Sequence, residues 1–114
     1  MAAKKITVVF FVTEGGTAPV RDWLHAVPDE DRKKIGEDIR TVEFGWPIGM
    51  PVSRPLGKGL YEVRTKLKDR IARVFFTVDG DKMVLLHGFI KKSQATPDNE
   101  LAVARSRLQL WRRS

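Results

Sequence analysis

Leu60-Tyr-Glu-Val-Arg-Thr-Lys-Leu67, Arg70-Ile-Ala-Arg-Val-Phe-Phe-Thr-Val78 and Lys82-Met-Val-Leu-Leu-His-Gly-Phe-Ile-Lys-Lys92 decide the fold of this chain. Each run is short, rich in β-branched and aromatic residues and bounded by turn residues, so each reads as a strand. Lys68-Asp69 and Asp79-Gly80 are the expected turns, and Asp-Gly between apolar runs is a strong hairpin signal. The three strands therefore form an antiparallel meander.

Register then places side chains. With a two-residue first turn, Leu67 pairs with Arg70 and Arg64 stands opposite Arg73; with a two-residue second turn, Arg73 stands opposite Leu86. The period of two puts Glu62, Arg64, Lys66, Arg73 and Phe75 on one face, with Lys92 at its edge and Gly88 leaving space. Tyr61, Val63, Ala72, Val74, Phe76, Val78, Leu85 and His87 fall on the other, which reads as the core beneath the helices. Like charges facing one another across a sheet repel, and folding alone gives no reason to gather them. A polyanion supplies one reason; neutralisation by a carboxylate is the other, and Glu62 is near enough to serve one arginine. Phe75 either stacks a base or packs against the C-terminal helix. Lys91 and Lys92 end the last strand at the mouth of this face, and Lys68 lies in the adjacent turn.

Outward from the meander, Ile6-Thr-Val-Val-Phe-Phe-Val12 reads as a first strand buried on both faces. Preceded by Lys4-Lys5 it superficially resembles a signal peptide, but β-branched and aromatic residues favour the strand, and the protein is expected in the cytoplasm. Pro19 suits the first turn of a short helix through Val27, with Val20, Trp23, Leu24 and Val27 at helical spacing. After Pro28, Asp29 is the expected cap of a second helix whose stripe is Ile35, Ile39 and Val42. Gly45 and Pro47 stop it. Trp46 to Gly59, punctuated by Pro47, Pro51 and Pro55, reads as an ordered loop. Thr96-Pro97 opens a C-terminal helix with Leu101, Ala104, Leu108 and Trp111 on one face and Arg105, Arg107, Arg112 and Arg113 in its later turns. The expectation is an α+β domain: an antiparallel-rich sheet of about four strands, an N-terminal helix hairpin and a C-terminal helix.

At 114 residues the chain makes one domain, and 42% hydrophobic residues argue for a packed core. Lys and Arg number 21 against 14 Asp and Glu, a net charge of +7 that favours an acidic partner. The absence of cysteine excludes disulfides, thiol nucleophiles and Cys-ligated metals. His25 reads as a surface residue and His87 as a hydrogen-bonded core residue. Neither has metal-ligand spacing, so no metal or other cofactor is expected. No Gly-rich phosphate loop, nucleophile elbow or dinucleotide fingerprint occurs. No apolar run is long enough to span a bilayer.

The segments Leu56-Gly-Lys-Gly-Leu-Tyr-Glu-Val-Arg64, Arg70-Ile-Ala-Arg-Val-Phe-Phe76 and Leu85-Leu-His-Gly-Phe-Ile-Lys-Lys-Ser-Gln-Ala-Thr-Pro97 resemble the HigB-like branch of the RelE/ParE toxin superfamily, including its phage-derived members. The resemblance implies a RelE-like fold and the toxin of a type II toxin–antitoxin module. The implied activity is cleavage of mRNA in the ribosomal A site. The implied partners are the ribosome with its mRNA and a helix-turn-helix antitoxin, which carries the operator-DNA binding; no membrane is involved. Matched residue by residue, Arg64 ends the family's "YEhR" strand, Arg73 is the arginine of the next strand, and Lys92 is the basic residue after the last. Ala72 stands where relatives often carry a tyrosine.

For metal-free cleavage the 2′-hydroxyl attacks the adjacent phosphate, which requires a proton acceptor, cations for the phosphorane and a donor to the leaving oxygen. Arg64 and Arg73 are the expected clamp, Lys92 the donor, and Glu62 the acceptor with Lys66 as its substitute. Two other readings keep the charge: a ParE-like toxin acting on gyrase, and a non-catalytic RNA-binding protein of phage origin.

Overall fold

The structure, a computed structural model, describes residues 3–91 and 97–114. Lys92 and the expected cap Thr96 lie outside the described residues. The elements run β1 (Thr7–Phe10), α1 (Pro19–Ala26), α2 (Asp29–Gly45), β2 (Ser53–Gly57), β3 (Leu60–Lys66), β4 (Ile71–Asp79), β5 (Lys82–Lys91) and α3 (Asp98–Arg113). The strands form one sheet in the order β1-β5-β4-β3-β2. β1 runs parallel to β5, and the other neighbours are antiparallel.

The mixed α+β expectation stands with a five-stranded sheet in place of about four strands. The added strand, β2, lies inside the stretch read as loop. Pro55 hides it, because proline reads as a strand breaker; an edge strand tolerates proline, since an N–H facing outward has no ladder partner to lose. Gly57, Lys58 and Gly59 all have positive φ (94°, 56° and 83°) and turn β2 into β3. A Cβ at Gly59 would sit 2.5 Å from Arg112 Nη2, the far end of a flexible side chain that can swing aside, so the positive φ is the stronger reason for glycine there. β1 also departs from expectation. As the opposite edge strand it is only half-buried. Its outer side is partly closed by Glu43 of α2, whose carboxylate accepts the Val8 N–H at 2.8 Å.

Two apolar clusters hold the sheet. On one face α1 lies over β5 and β1 while α2 lies over β3. Val20, Ile35, Ile39 and Val42 there meet Val63, Val74, Phe76 and Leu85. The helices join at a corner through Val27 and Pro28, where Arg32 donates to the carbonyls of Leu24, His25 and Val27. Pro28 takes the cap position expected of Asp29, which instead pairs with Arg32 at 3.1 Å. On the other face Ala104 and Leu108 of α3 pack on Phe11, Leu60, Phe75, Val84, Leu86 and Phe89.

Arg64 stands opposite Arg73, and Leu67 donates its N–H to the Arg70 carbonyl, as the two-residue turn requires. The second turn is one residue later than expected, because Asp79 pairs with Lys82. Further on, Phe76 pairs with Leu85 but Phe75 pairs with His87, so Leu86 is an extra residue in β5. Such a bulge reverses which face the following residues address. Arg73 thus opposes Phe89, not Leu86. Gly88 moves to the helix face and His87 leaves it, against expectation for both. The space beside Gly88 belongs to Trp23 of α1, whose ring would lie 2.5 Å from a Cβ added there.

Candidate functional site

Three cross-strand rows make up the part of the α3-side face bearing most of its charge. Arg54, Glu62, Phe75 and His87 form the first, Arg64, Arg73 and Phe89 the second, and Lys66, Ile71 and Lys91 the third. At the centre, Glu62 Oε1 lies 3.1 Å from Arg73 Nη1 and 3.7 Å from Arg64 Nε, and its Oε2 lies 3.1 Å from Arg54 Nη2. Exposure of these side chains grades outward: Glu62 0%, Arg73 1%, Arg64 24% and Arg54 36%.

Burying a charge without a partner costs several kcal/mol, so Arg73 is tolerable at this depth because Glu62 faces it. Burial pushes the Arg73 pKa down, the Glu62 carboxylate raises it again, and neighbouring Arg64 and Arg54 lower it further. The guanidinium remains charged, given how far arginine lies above neutral pH. Three guanidiniums around one carboxylate leave an excess of positive charge, which reaches solvent through Arg54 and Arg64.

This geometry corrects three roles. Glu62, completely buried with both oxygens engaged, cannot reach a ribose hydroxyl to accept its proton. Arg73 is also sealed, with 1% of its side chain exposed, and is not placed to touch a phosphate. Phe75 is fully buried between α3, Phe89 and His87, leaving no ring face for a base. Of the two explanations for the arginines, ion pairing with Glu62 is present for both, at 3.1 Å from Arg73 and 3.7 Å from Arg64, and Arg64 is the more exposed of the two. Lys66, Lys68 and Lys91 are exposed.

Arg54 escaped the sequence reading along with its strand. Its signal was the Gly57-Lys-Gly59 turn, which mirrors Ser53-Arg54-Pro55 onto Tyr61-Glu62-Val63. A cleft was missed too. β2 begins at Ser53; just before it the Val52 carbonyl accepts the Arg64 N–H at 3.1 Å, and among the described residues no strand pairs with Lys66 on that side. Beside this stretch opens a cavity of about 450 Å³ lined by Asp38, Met50, Pro51, Val52, Arg64, Lys66 and Ile71.

His87 is oriented from two sides. Arg107 Nη1 donates to the Leu86 carbonyl at 2.9 Å and to His87 Nδ1 at 3.2 Å. Arginine only donates, so Nδ1 is the acceptor and the proton is on Nε2, 3.2 Å from Glu100 Oε1. The three groups clamp α3 onto the bulge. Burial lowers the pKa of Arg107.

Among the described residues, no group of three His, Cys, Asp or Glu side chains is placed to hold a metal. None of the helices described is long and apolar enough to cross a membrane. No curated protein matches the chain. The family model described as "Phage derived protein Gp49-like (DUF891)" matches residues 22–109, from within α1 through most of α3 and across every strand of the charged face. With most of its length in that match, the chain belongs to the phage-derived Gp49-like protein family.

Proposed function

We propose that this protein is the toxin of a type II toxin–antitoxin module and acts as a ribosome-dependent mRNA endoribonuclease. One observation carries the reading: Arg54, Arg64 and Arg73 share the single carboxylate of Glu62, and Lys66 and Lys91 extend the positive face. A polyanion matches that excess. Membership of the phage-derived family supports it, since the resemblance of the same segments is to HigB-like toxins.

Arg64 and Arg54 meet the scissile phosphate and the phosphorane formed when the 2′-hydroxyl attacks. Arg73, from beneath, adds field without contact. Lys91 lies on the path of the RNA backbone, and Lys92 is the expected donor to the leaving oxygen. With Glu62 sealed, the chain contributes mainly electrostatics, which fits a dependence on the ribosome to align the RNA. A helix-turn-helix antitoxin binds the toxin and, separately, operator DNA.

The test is inducible expression of the wild type and of Arg54→Ala/Arg64→Ala, read by growth and by mapping mRNA 5′ ends. Arrest with new in-frame cuts, both lost in the variant, is the expected result. Arrest without cuts would transfer the target to gyrase or to RNA binding alone. Absence of arrest would overturn the toxin reading.

A further inference from the structure

The cleft beside Arg64 has the makings of a base-selective nucleotide site. Met50, Pro51, Val52 and Ile71 supply its apolar lining, and Arg64, Lys66 and Asp38 of α2 supply its charged groups. Met50, 63% exposed, lines this opening. At about 450 Å³ the space accommodates a nucleotide. The Asp38 carboxylate is half-exposed, and among the described residues it takes part in no ion pair or side-chain hydrogen bond. Arg64 and Lys66 line the same cavity.

We propose that this cleft holds a guanine nucleotide of the RNA, with its base against Met50, Pro51, Val52 and Ile71, its phosphate at Arg64 and Lys66, and its Watson–Crick edge on Asp38. The selectivity follows from donor and acceptor patterns. An ionised carboxylate only accepts, through two oxygens. Guanine offers two adjacent donors, N1–H and the N2 amino group, which match those oxygens. Adenine and cytosine place a ring-nitrogen lone pair next to their single amino group, and uracil flanks its N3–H with carbonyl oxygens; each sets an acceptor against the carboxylate. Unpaired bases in single-stranded RNA are available for recognition of this kind. The phosphate end lies at Arg64, so the inference rests on the RNA-directed reading above and adds the base beside the phosphate.

The experiment titrates the 3′-monophosphates of guanosine, adenosine, cytidine and uridine into wild type, Asp38→Asn and Lys66→Ala. Affinity and the methyl NMR shifts of Met50, Val52 and Ile71 are read together. The guanosine nucleotide is expected to bind roughly ten-fold or more tightly than the others, as for a bidentate contact. Asp38→Asn, a conservative change at a half-exposed helical position, should remove that preference. Lys66→Ala should weaken all four alike. Equal affinities, binding by none, shifts away from these methyls, or a preference surviving Asp38→Asn would overturn the proposal. In cells the two readings separate: cuts next to all four bases alike would refute the guanine site and keep the toxin, whereas guanine selectivity in vitro without arrest or cuts would do the reverse.

Discussion

Glu62 and Arg73 belong to a face that was legible in the sequence, yet their roles were not. Strand parity needs only spacing, so it placed them together correctly. Burial depends on what covers a face, which spacing does not contain. Hence a residue suited by chemistry to accept a proton proves to be the counter-ion on which three arginines converge. The consequence is energetic. Glu62→Gln would leave Arg73 charged and sealed, and should lower stability by about 3–5 kcal/mol, as breaking buried pairs does. Lys91→Ala, at an exposed position on the same face, should stay within about 0.5 kcal/mol. Urea unfolding midpoints at unchanged m-value would measure both.

β5 is where sequence-based register failed midway. Its alternation is regular up to Leu85, and the extra residue, Leu86, is an ordinary apolar side chain without the glycine that would announce a bulge. Its effect is to divide the strand: one half follows the expected parity, the other is reversed. Gly88 consequently supports α1 rather than opening the charged face. A methyl there collides with Trp23, so Gly88→Ala should destabilise by about 1–3 kcal/mol, the usual cost of overpacking. Trp23→Leu alone should also destabilise, but in the double variant the Gly88→Ala penalty should shrink; thermal unfolding of all four proteins completes the cycle. α3 was legible as an amphipathic helix, whereas the use of its arginines was not. Arg105 donates to the Leu56 and Gly57 carbonyls, Arg107 to that of Leu86 and Arg112 to that of Lys58. These cations fasten the helix to the β2–β3 turn and to the bulge.

Across the whole molecule, a net charge of +7 pointed to an acidic partner without saying which cations would meet it. Among the described residues, setting aside the helix fasteners and buried Arg73 leaves Arg54, Arg64, Lys66 and Lys91 as the outward group on the charged face. If these four engage phosphates of single-stranded RNA, log K against log salt should have a slope of about −3, and Arg54→Ala should make it shallower by roughly 0.7. Fluorescence anisotropy with a labelled oligoribonucleotide across a salt series would give both values.

Because β2 begins at Ser53, opposite Val63, exposed Lys66 has no ladder partner from it among the described residues. An unpaired strand edge is a template on which a second copy of the chain can add a strand, and lysine is a common natural deterrent to that addition. Lys66 and the following Lys68 repel their own counterparts on an approaching copy. The charges proposed to draw in RNA are therefore also of the kind that discourages edge-to-edge pairing between copies, so removing them would alter both properties at once.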